Sequence, residues 1–196
     1  MKISAAQADE LMGGPWFEGY TEFVDMYEKP VTVEDFDAEA RAEANDDTEM
    51  VLFGGGLTVR DTLDLSSEVH SVIAVQGSLR ARRLILGDAV LVVRGTVELD
   101  EWLFGEENEG LFAINDKQIE SPDRDALFAD LRAPVVAAFD RLRGEFVLRE
   151  HGEPRTAGQL LPEILADADA DPPERRGLRM GRCLRERLVG GQLVFR

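Results

Sequence analysis

Three copies of one apolar pattern within residues 51–119 constrain the fold more than any other feature of this chain. In each copy a β-rich run reaches a small residue, and apolar residues follow that residue two and four places on and again seven to nine places on. The small residues are Gly55, Gly77 and Gly95, which are 22 and 18 residues apart. A degenerate fourth copy has Asp116 in the glycine position, 21 residues later, so we expect the last coil to close differently.

A period near 20 residues with one or two short strands per period is typical of a β-solenoid coil. Alternation such as Leu79/Ala81 and Val97/Leu99 places one side chain inside and the next outside. No single coil can bury its inner face, so the copies must stack and share a core. We expect the glycines to turn the corners at φ values that other residues avoid. The alternative is an antiparallel β-meander with glycine turns.

The repeats predict a mainly β fold with flanking helices, namely a short right-handed parallel β-solenoid of three to four coils capped at both ends. Residues 1–50 are expected to form an acidic N-terminal helical and aromatic cap, and residues 51–120 the solenoid core. Residues 121–196 are expected to form a C-terminal helical segment that packs on the core, all within one structural domain. A chain of 196 residues, 44% hydrophobic and 31% charged, is large enough for one such core.

Capping and stop signals predict where the flanking helices lie, and we expect these helices to cover the ends of the solenoid. They are predicted after Ser4 up to residue 12, over residues 33–44, from Ser121 to residue 143 with a bend at Pro134, over residues 156–165, and, with a basic face, up to residue 189.

The charge balance bounds the partners of the protein, because 39 acidic residues face 22 basic ones for a net charge of −17. Such a surface repels nucleic-acid phosphates and anionic lipid and attracts basic proteins, although simple solubility explains it equally well. No apolar run reaches the roughly 18 residues of a membrane span, and the N-terminus has acids where a signal peptide needs its apolar core. The single cysteine, Cys183, fits a reducing compartment. We expect a cytoplasmic protein with no nucleic-acid and no membrane partner.

An aromatic cluster over residues 16–27 is the strongest candidate for a binding surface. Its spacing fits a helix and an extended strand equally well. The need to bury aromatic rings favours a role in covering one end of the solenoid, and the alternative is a partner-binding patch with aromatic anchors. An acidic turn over residues 106–110 is more typical of a solvated loop than of a cation site. The candidate partner-binding residues are Trp16, Phe17, Tyr20, Glu22, Asp25, Glu106, Glu107 and Glu109.

A local basic spot, formed by Arg80, Arg82 and Arg83, has a structural explanation. These arginines can pair with Glu98, Asp100 and Glu101 of the next coil, and this pairing is a better interpretation than an anion site. The arginines of the basic C-terminal helix are expected to pair with acids of the same molecule.

Recognisable catalytic motifs do not occur in the sequence, which has two histidines, His70 and His151, 81 positions apart. A zinc site or a Ser-His triad therefore has almost nothing to be built from. The run from Asp167 to Asp171 fails as a calcium loop because Pro172 replaces the turn glycine. We expect no catalytic residue, no cofactor and no metal, and we do not expect an enzyme.

The repeat block from Val72 to Ile114 resembles a known group of proteins. Runs such as Ala74-Val75-Gln76-Gly77-Ser78-Leu79 and Leu91-Val92-Val93-Arg94-Gly95, with Asn108-Glu109-Gly110 before the last coil, are similar to bacterial polymer-forming-type β-solenoid proteins. The resemblance covers about a third of the chain. It implies a β-solenoid core, and in this group the bactofilins polymerise end to end, whereas other members look like immunity proteins of secreted toxin systems.

These observations predict a non-catalytic acidic module that binds a basic protein, as a monomer or small oligomer. The most concrete form of this hypothesis is an immunity-type inhibitor of a basic toxin. The first alternative is a self-assembling scaffold of the bactofilin kind. The second, a carbohydrate-active β-helix enzyme, requires that acids from successive coils converge in one cleft.

Overall fold

The computed structural model describes residues 1–38, 40–41, 49–66, 71–105, 110–122, 124–169 and 176–196, and it confirms a mainly β fold built as a β-solenoid of about three turns. One sheet has seven strands and the other has nine. The described strands are β1 (Lys2–Ser4), β2 (Phe23–Tyr27), β3 (Val31–Val33), β4 (Phe36–Asp37), β5 (Glu49–Phe53), β6 (Leu57–Leu65), β7 (Ser71–Val75), β8 (Leu79–Leu86), β9 (Val90–Val93), β10 (Val97–Gly105), β11 (Leu111–Ile114), β12 (Lys117–Gln118), β13 (Leu131–Arg132), β14 (Val135–Asp140), β15 (Glu145–Glu150) and β16 (Glu153–Arg155). The described helices are α1 (Ala5–Met12), α2 (Arg124–Leu127), α3 (Pro162–Asp169) and α4 (Arg176–Val189).

Each full coil consists of one strand of the first sheet, a three-residue corner and one longer strand of the second sheet. The pairs β5–β6, β7–β8 and β9–β10 form three such coils, and neighbouring coils pair in parallel. The register aligns Val51 with Ile73 and Ile73 with Leu91, so equivalent side chains stack inside the solenoid. All three side chains are fully buried. The predicted repeat thus becomes a ladder of inward apolar residues.

The corner glycines are required by the close approach of neighbouring coils. Gly55, Gly77 and Gly95 do not have positive φ, so the predicted reason for these glycines was wrong. A Cβ atom on Gly77 would lie 3.0 Å from the Cα atom of Gly56, and one on Gly95 would lie 2.6 Å from the carbonyl oxygen of Gly77. Only Gly56 among these corner residues turns with a positive φ, of 98°.

Two segments that we predicted as helices belong largely to the solenoid instead. Within residues 33–44, the described part begins with β3 and β4, which pair in parallel with β6, and residues 38, 40 and 41 are helical, so the predicted helix is confirmed only over this short part; residues 39 and 42–44 lie outside the described ranges. Val31, Val33 and Phe36 extend the inward ladder of β6, and this burial outweighs a weak helix of alanines and acids. The segment predicted as helical up to residue 143 forms only the short α2, followed by β13 and β14, which pair with β10. Here the sheet offers partners to the β-branched residues that follow Pro134.

The longer helices lie against the outer faces of the sheets, although we predicted that they cover the ends. Helix α1 packs on the outer face of the first sheet through Ala8 and Met12, and Gln76 and Arg94 hold its last turn by donating hydrogen bonds to the carbonyl oxygens of Leu11 and Met12. Helices α3 and α4 pack on the outer face of the second sheet. These contacts give the molecule three apolar clusters, one inside the solenoid and one under each helical layer.

The two ends of the first sheet are capped by antiparallel strands. At one end β1 pairs with β2, and at the other β12 pairs with β11. Asn115 and Asp116, with φ of 49° and 63°, form the two-residue turn between β11 and β12. The expectation that the last coil closes differently at Asp116 is therefore confirmed. No helix in the described ranges is long and apolar enough to cross a membrane.

Candidate functional site

One face of β2 carries two aromatic side chains that are exposed on the surface of this protein. Phe23, Asp25 and Tyr27 project from one face of the strand, while Val24 and Met26 project from the other and pack under α1. The exposed fraction is 56% for Phe23 and 41% for Tyr27. We call Phe23, Asp25 and Tyr27, together with the exposed residues Glu18, Tyr20, Glu22 and Glu28 of the flanking chain, the first-coil surface.

The first-coil surface is exposed because β2 and β3 form a partial coil that precedes β5–β6, and we call this partial coil the first coil of the stack. The register pairs Asp25 with Val51 and Tyr27 with Phe53, and both of these partners are buried inside the solenoid. The ring of Tyr27 stacks on that of Phe53, with centroids 5.3 Å apart and planes 15° from parallel. In any later coil these positions are core, whereas in the first coil no further coil covers them.

The carboxylate groups of this surface lack partners within the described part of the chain. Asp25 is half-buried and lies opposite Lys2 in the β1–β2 register, yet no hydrogen bond or ion pair to another described residue engages its side chain. Glu18, Glu22 and Glu28 are exposed and likewise form no ion pair with a described residue. The first-coil surface therefore combines exposed aromatic rings with carboxylates that form no ion pair with a described residue.

Two of the predicted binding residues pack under α1, on the opposite face of β2. The side chain of Phe17 is fully buried and that of Trp16 is half-buried, both in the cluster under α1. The carboxylate of Asp9 accepts hydrogen bonds from the backbone N–H groups of Trp16, Phe17 and Glu18 at 2.7, 2.8 and 3.0 Å. This arrangement fixes the path of the chain into the exposed segment around Tyr20.

Of the other predicted residues, Tyr20 is 58% exposed, Glu22 is exposed and Asp25 is half-buried, so these three belong to the first-coil surface. Glu106, Glu107 and Glu109 lie outside the described residues. Phe23 and Tyr27 lie within the aromatic cluster predicted over residues 16–27 but were not named among the candidate partner-binding residues. The signal for them is the alternation of polar or exposed and apolar residues over 23–27, which becomes readable once the segment is known to be a strand.

Arginine side chains along the bend of the second sheet are used in ion pairs between coils. Arg82 and Arg83 contact Glu101 at 2.7 and 2.6 Å, and Arg80 contacts Asp100 at 3.4 Å, as predicted. Glu98 pairs with Arg132 instead, at 3.3 Å. Partial burial alone would raise the pKa of Glu101, but the hydrogen bonds from Arg83 and Arg82 outweigh it and hold that pKa below its usual value. The basic spot is thus part of the fold.

A groove of about 480 Å³ crosses the outer face of the second sheet beside the C-terminal end of α4. Asp37 and Asp64, which are register partners on successive coils, line it together with Asp35 and Trp102. The carboxylate of Asp64 accepts hydrogen bonds from the backbone N–H and the hydroxyl of Ser66 at 2.9 and 2.6 Å. No group of three potential metal ligands occurs among the described residues. The groove nevertheless brings acids from successive coils together, which is what the enzyme alternative requires.

No family model, curated protein or solved structure matches this chain. The β-solenoid core that the resemblance implied is present. The functional assignment therefore depends on the geometry of the chain itself.

Proposed function

We propose that this protein is a non-catalytic binding module that recognises a basic protein partner through the first-coil surface. The observation that carries the proposal is the exposure of the Phe23 and Tyr27 rings beside carboxylates without described partners, and Tyr27 stands at a position that is core in the following coils. Exposed aromatic side chains are the usual anchors of protein interfaces. Carboxylates around them favour a partner of opposite charge and speed its association.

Charge also argues against a second copy of this chain as the partner. Two first-coil surfaces facing each other would place Glu18, Glu22 and Glu28 against the same residues of the other copy, and like charges at an interface are unfavourable. The last coil does not offer a complementary end, because β12 pairs along β11 and Leu127 fills the interior. These features favour a discrete particle over a bactofilin-like filament.

The most concrete version of the proposal is an immunity-type protein whose first-coil surface occludes a basic toxin within the cytoplasm. The net charge of −17 supports this version, as does the similarity of the repeats to solenoid proteins that look like immunity proteins. The described arginines are largely engaged in ion pairs within the fold, so the excess negative charge is available to a partner.

A pair of matched charge variants tests the proposal. The triple variant Glu18→Gln, Glu22→Gln, Glu28→Gln removes three charges from the first-coil surface, and the control Glu153→Gln, Glu163→Gln, Glu186→Gln removes three exposed charges elsewhere. Binding to an arginine- and lysine-rich peptide is measured by calorimetry at low salt. We expect the first variant to weaken binding about tenfold, on the basis of about 0.5 kcal/mol for each charge, and the control to weaken it far less. Equal losses in the two variants would show that only the net charge matters.

A second candidate function is cleavage of a polysaccharide in the groove, and one observation favours it. Asp37 and Asp64 lie side by side on neighbouring strands, which are about 4.8 Å apart, and paired carboxylates act as acid and base or nucleophile in glycoside hydrolases. Release of reducing ends from a panel of neutral and acidic polysaccharides tests this candidate. Activity that disappears in Asp64→Asn and persists in the surface variant Asp125→Asn would support it, and absence of activity on the panel would count against it.

A further inference from the structure

We propose that Asp25, with Phe23 and Tyr27 on either side, forms a subsite for an arginine side chain of the basic partner. This inference rests on the proposed function, because it names the chemical group that the first-coil surface accepts. It concerns one carboxylate and two rings on a single face of β2, and it makes a prediction that general charge attraction does not make.

The spacing of the three side chains suits a guanidinium group. Residues two apart on one face of a strand are separated by roughly 6.8 Å, so Phe23 and Tyr27 stand on opposite sides of Asp25. A guanidinium group bound to the carboxylate between them can tilt toward either ring and reach the roughly 6 Å over which an aromatic ring attracts a cation. Tyr27 is held in place by stacking on Phe53, so at least one of the two rings is positioned before the partner arrives.

The state of Asp25 also favours an incoming cation. This side chain is half-buried and has no hydrogen-bond or ion-pair partner among the described residues, although Lys2 is its register neighbour on β1. A partly desolvated carboxylate gains more from a bound cation than a fully hydrated one does. Arginine fits better than lysine, because its planar group can bind a carboxylate with two hydrogen bonds while stacking on a ring.

A related arrangement, with a carboxylate and a single ring on adjacent residues, occurs inside this molecule. Arg83 donates a hydrogen bond to Glu101 at 2.6 Å while its guanidinium carbon lies 5.9 Å from the ring centre of Trp102. A carboxylate and a neighbouring aromatic ring on one strand thus accept one arginine from another coil. At the first coil, the carboxylate and the rings are present and the arginine would come from the partner.

The test uses the full-length protein labelled with ¹⁵N and three capped tripeptides, Gly-Arg-Gly, Gly-Lys-Gly and the citrulline analogue of the first. Chemical-shift titration reports where each peptide binds and how strongly. We expect the arginine peptide to shift the amides of residues 22–28, with an affinity about threefold higher than that of the lysine peptide, and the neutral citrulline peptide to cause no saturable shift.

Substitutions make the prediction specific. Asp25→Asn keeps the shape of the side chain and should weaken the arginine peptide at least about fivefold, while Phe23→Leu and Tyr27→Leu should each weaken it about twofold to fivefold. The control Glu153→Gln should leave the affinity unchanged. Equal affinity in the wild type and in Asp25→Asn, or shifts centred on another part of the surface, would overturn the subsite.

The outcomes also separate this inference from the proposed function. If the arginine- and lysine-rich peptide binds the first-coil surface equally well in the wild type and in Asp25→Asn, the subsite fails and the proposed function stands. If no basic peptide binds the wild type at low salt, both fail. A well-dispersed spectrum of each variant establishes that the fold is intact.

Discussion

The two ends of the solenoid differ in whether their inward-facing side chains are buried or exposed. At the last coil, Leu127 and Ile119 fill the interior, β12 pairs along β11, and Lys117 and Asn115 hold Asp130 in place. At the first coil, Phe23 and Tyr27 stay exposed and the surrounding carboxylates have no described partners.

This difference lies in how each end of the solenoid covers its inner residues. In a solenoid of stacked coils, the inner residues at each end must be covered by a separate segment. At the last coil this segment is residues 115–130, which take the place of a three-residue corner. The first coil leaves aromatic rings at the surface, and aromatic residues are enriched at protein interfaces.

The largest predicted effect is the difference in stability lost when a buried side chain at the last coil and an exposed one at the first coil are truncated. Leu127→Ala removes a fully buried side chain at the last coil and should lower the free energy of unfolding by about 2–5 kcal/mol. Phe23→Ala at the first coil removes a side chain that is 56% exposed and should cost less than about 1 kcal/mol. Urea denaturation followed by circular dichroism measures both values. Similar losses would mean that the first coil is as much a part of the core as the last.

A smaller effect is expected where Asp9 supports the first-coil surface. Asp9→Ala removes the acceptor of three backbone hydrogen bonds and should destabilise the protein by about 2 kcal/mol. Ser4→Ala, which removes only the N-cap of the same helix, should cost about 1 kcal/mol. Urea denaturation gives the stabilities, and hydrogen exchange of the amides of residues 16–18 should accelerate in Asp9→Ala alone. Unchanged exchange at these amides would refute the supporting role of Asp9.

At the last coil, the stability of the protein should depend on the charge of Asp130, which is bound by Lys117 and Asn115, and should therefore change with pH. Hydrogen bonds from Lys117 and then Asn115 hold the pKa of Asp130 below its usual value. Because the folded pKa is the lower one, the charged carboxylate stabilises the fold above an unfolded pKa of about 3.9, and this contribution is lost as pH falls through the folded pKa.

Asp130→Asn should therefore cost about 1 kcal/mol or less at neutral pH, since the pair is partly exposed, and should make the acid limb of the stability curve shallower. Asp125→Asn, at a position whose side chain is 91% exposed, is the control and should leave the curve unchanged. Thermal melts between pH 2.5 and 7 measure both. An acid limb that is the same in the wild type and in Asp130→Asn contradicts this account of the cluster.

The smallest effect is expected when the concentration and the salt are varied, because we predict that the mass of the particle does not change. The filament alternative predicts that the mass grows with concentration. Light scattering after size-exclusion chromatography should give the mass of one chain at every concentration. Raising the salt, which screens repulsion between acidic surfaces, should change it little. A mass that grows with concentration in the wild type and not in Phe23→Ser would make the first coil an assembly surface.

Much of the solenoid could be predicted from the sequence, because the inward ladder that includes Ile73 and Leu91 repeats at a nearly constant interval. The first coil escaped prediction because its corner contains no glycine. Gly55 of the next coil provides the space instead, since a Cβ atom there would lie 2.4 Å from the backbone nitrogen of Pro30. The strands that complete the last coil, β13 and β14, escaped prediction because residues 115–130 separate them from β11.

The candidate site was predicted only in part, for a related reason. Tyr20, Glu22 and Asp25 were identified from the density of aromatic and acidic residues, but Phe17 proved to be buried. Whether a ring in this cluster faces inward or outward depends on the register of β2 with β5, and Tyr27 is exposed only because no coil precedes it. Five residues of alternating character do not determine that register by themselves.

The most direct test of the first-coil surface is hydroxyl-radical footprinting, read by mass spectrometry, with and without the arginine- and lysine-rich peptide. In the free protein, Tyr20, Phe23 and Tyr27 should be oxidised rapidly and the buried Phe17 and Phe104 slowly. Adding the peptide should protect the three exposed rings and leave the exposed Leu142 and Leu193 unchanged. Saturable peptide binding that leaves Phe23 and Tyr27 as reactive as before would contradict the proposal that the first coil is the binding surface.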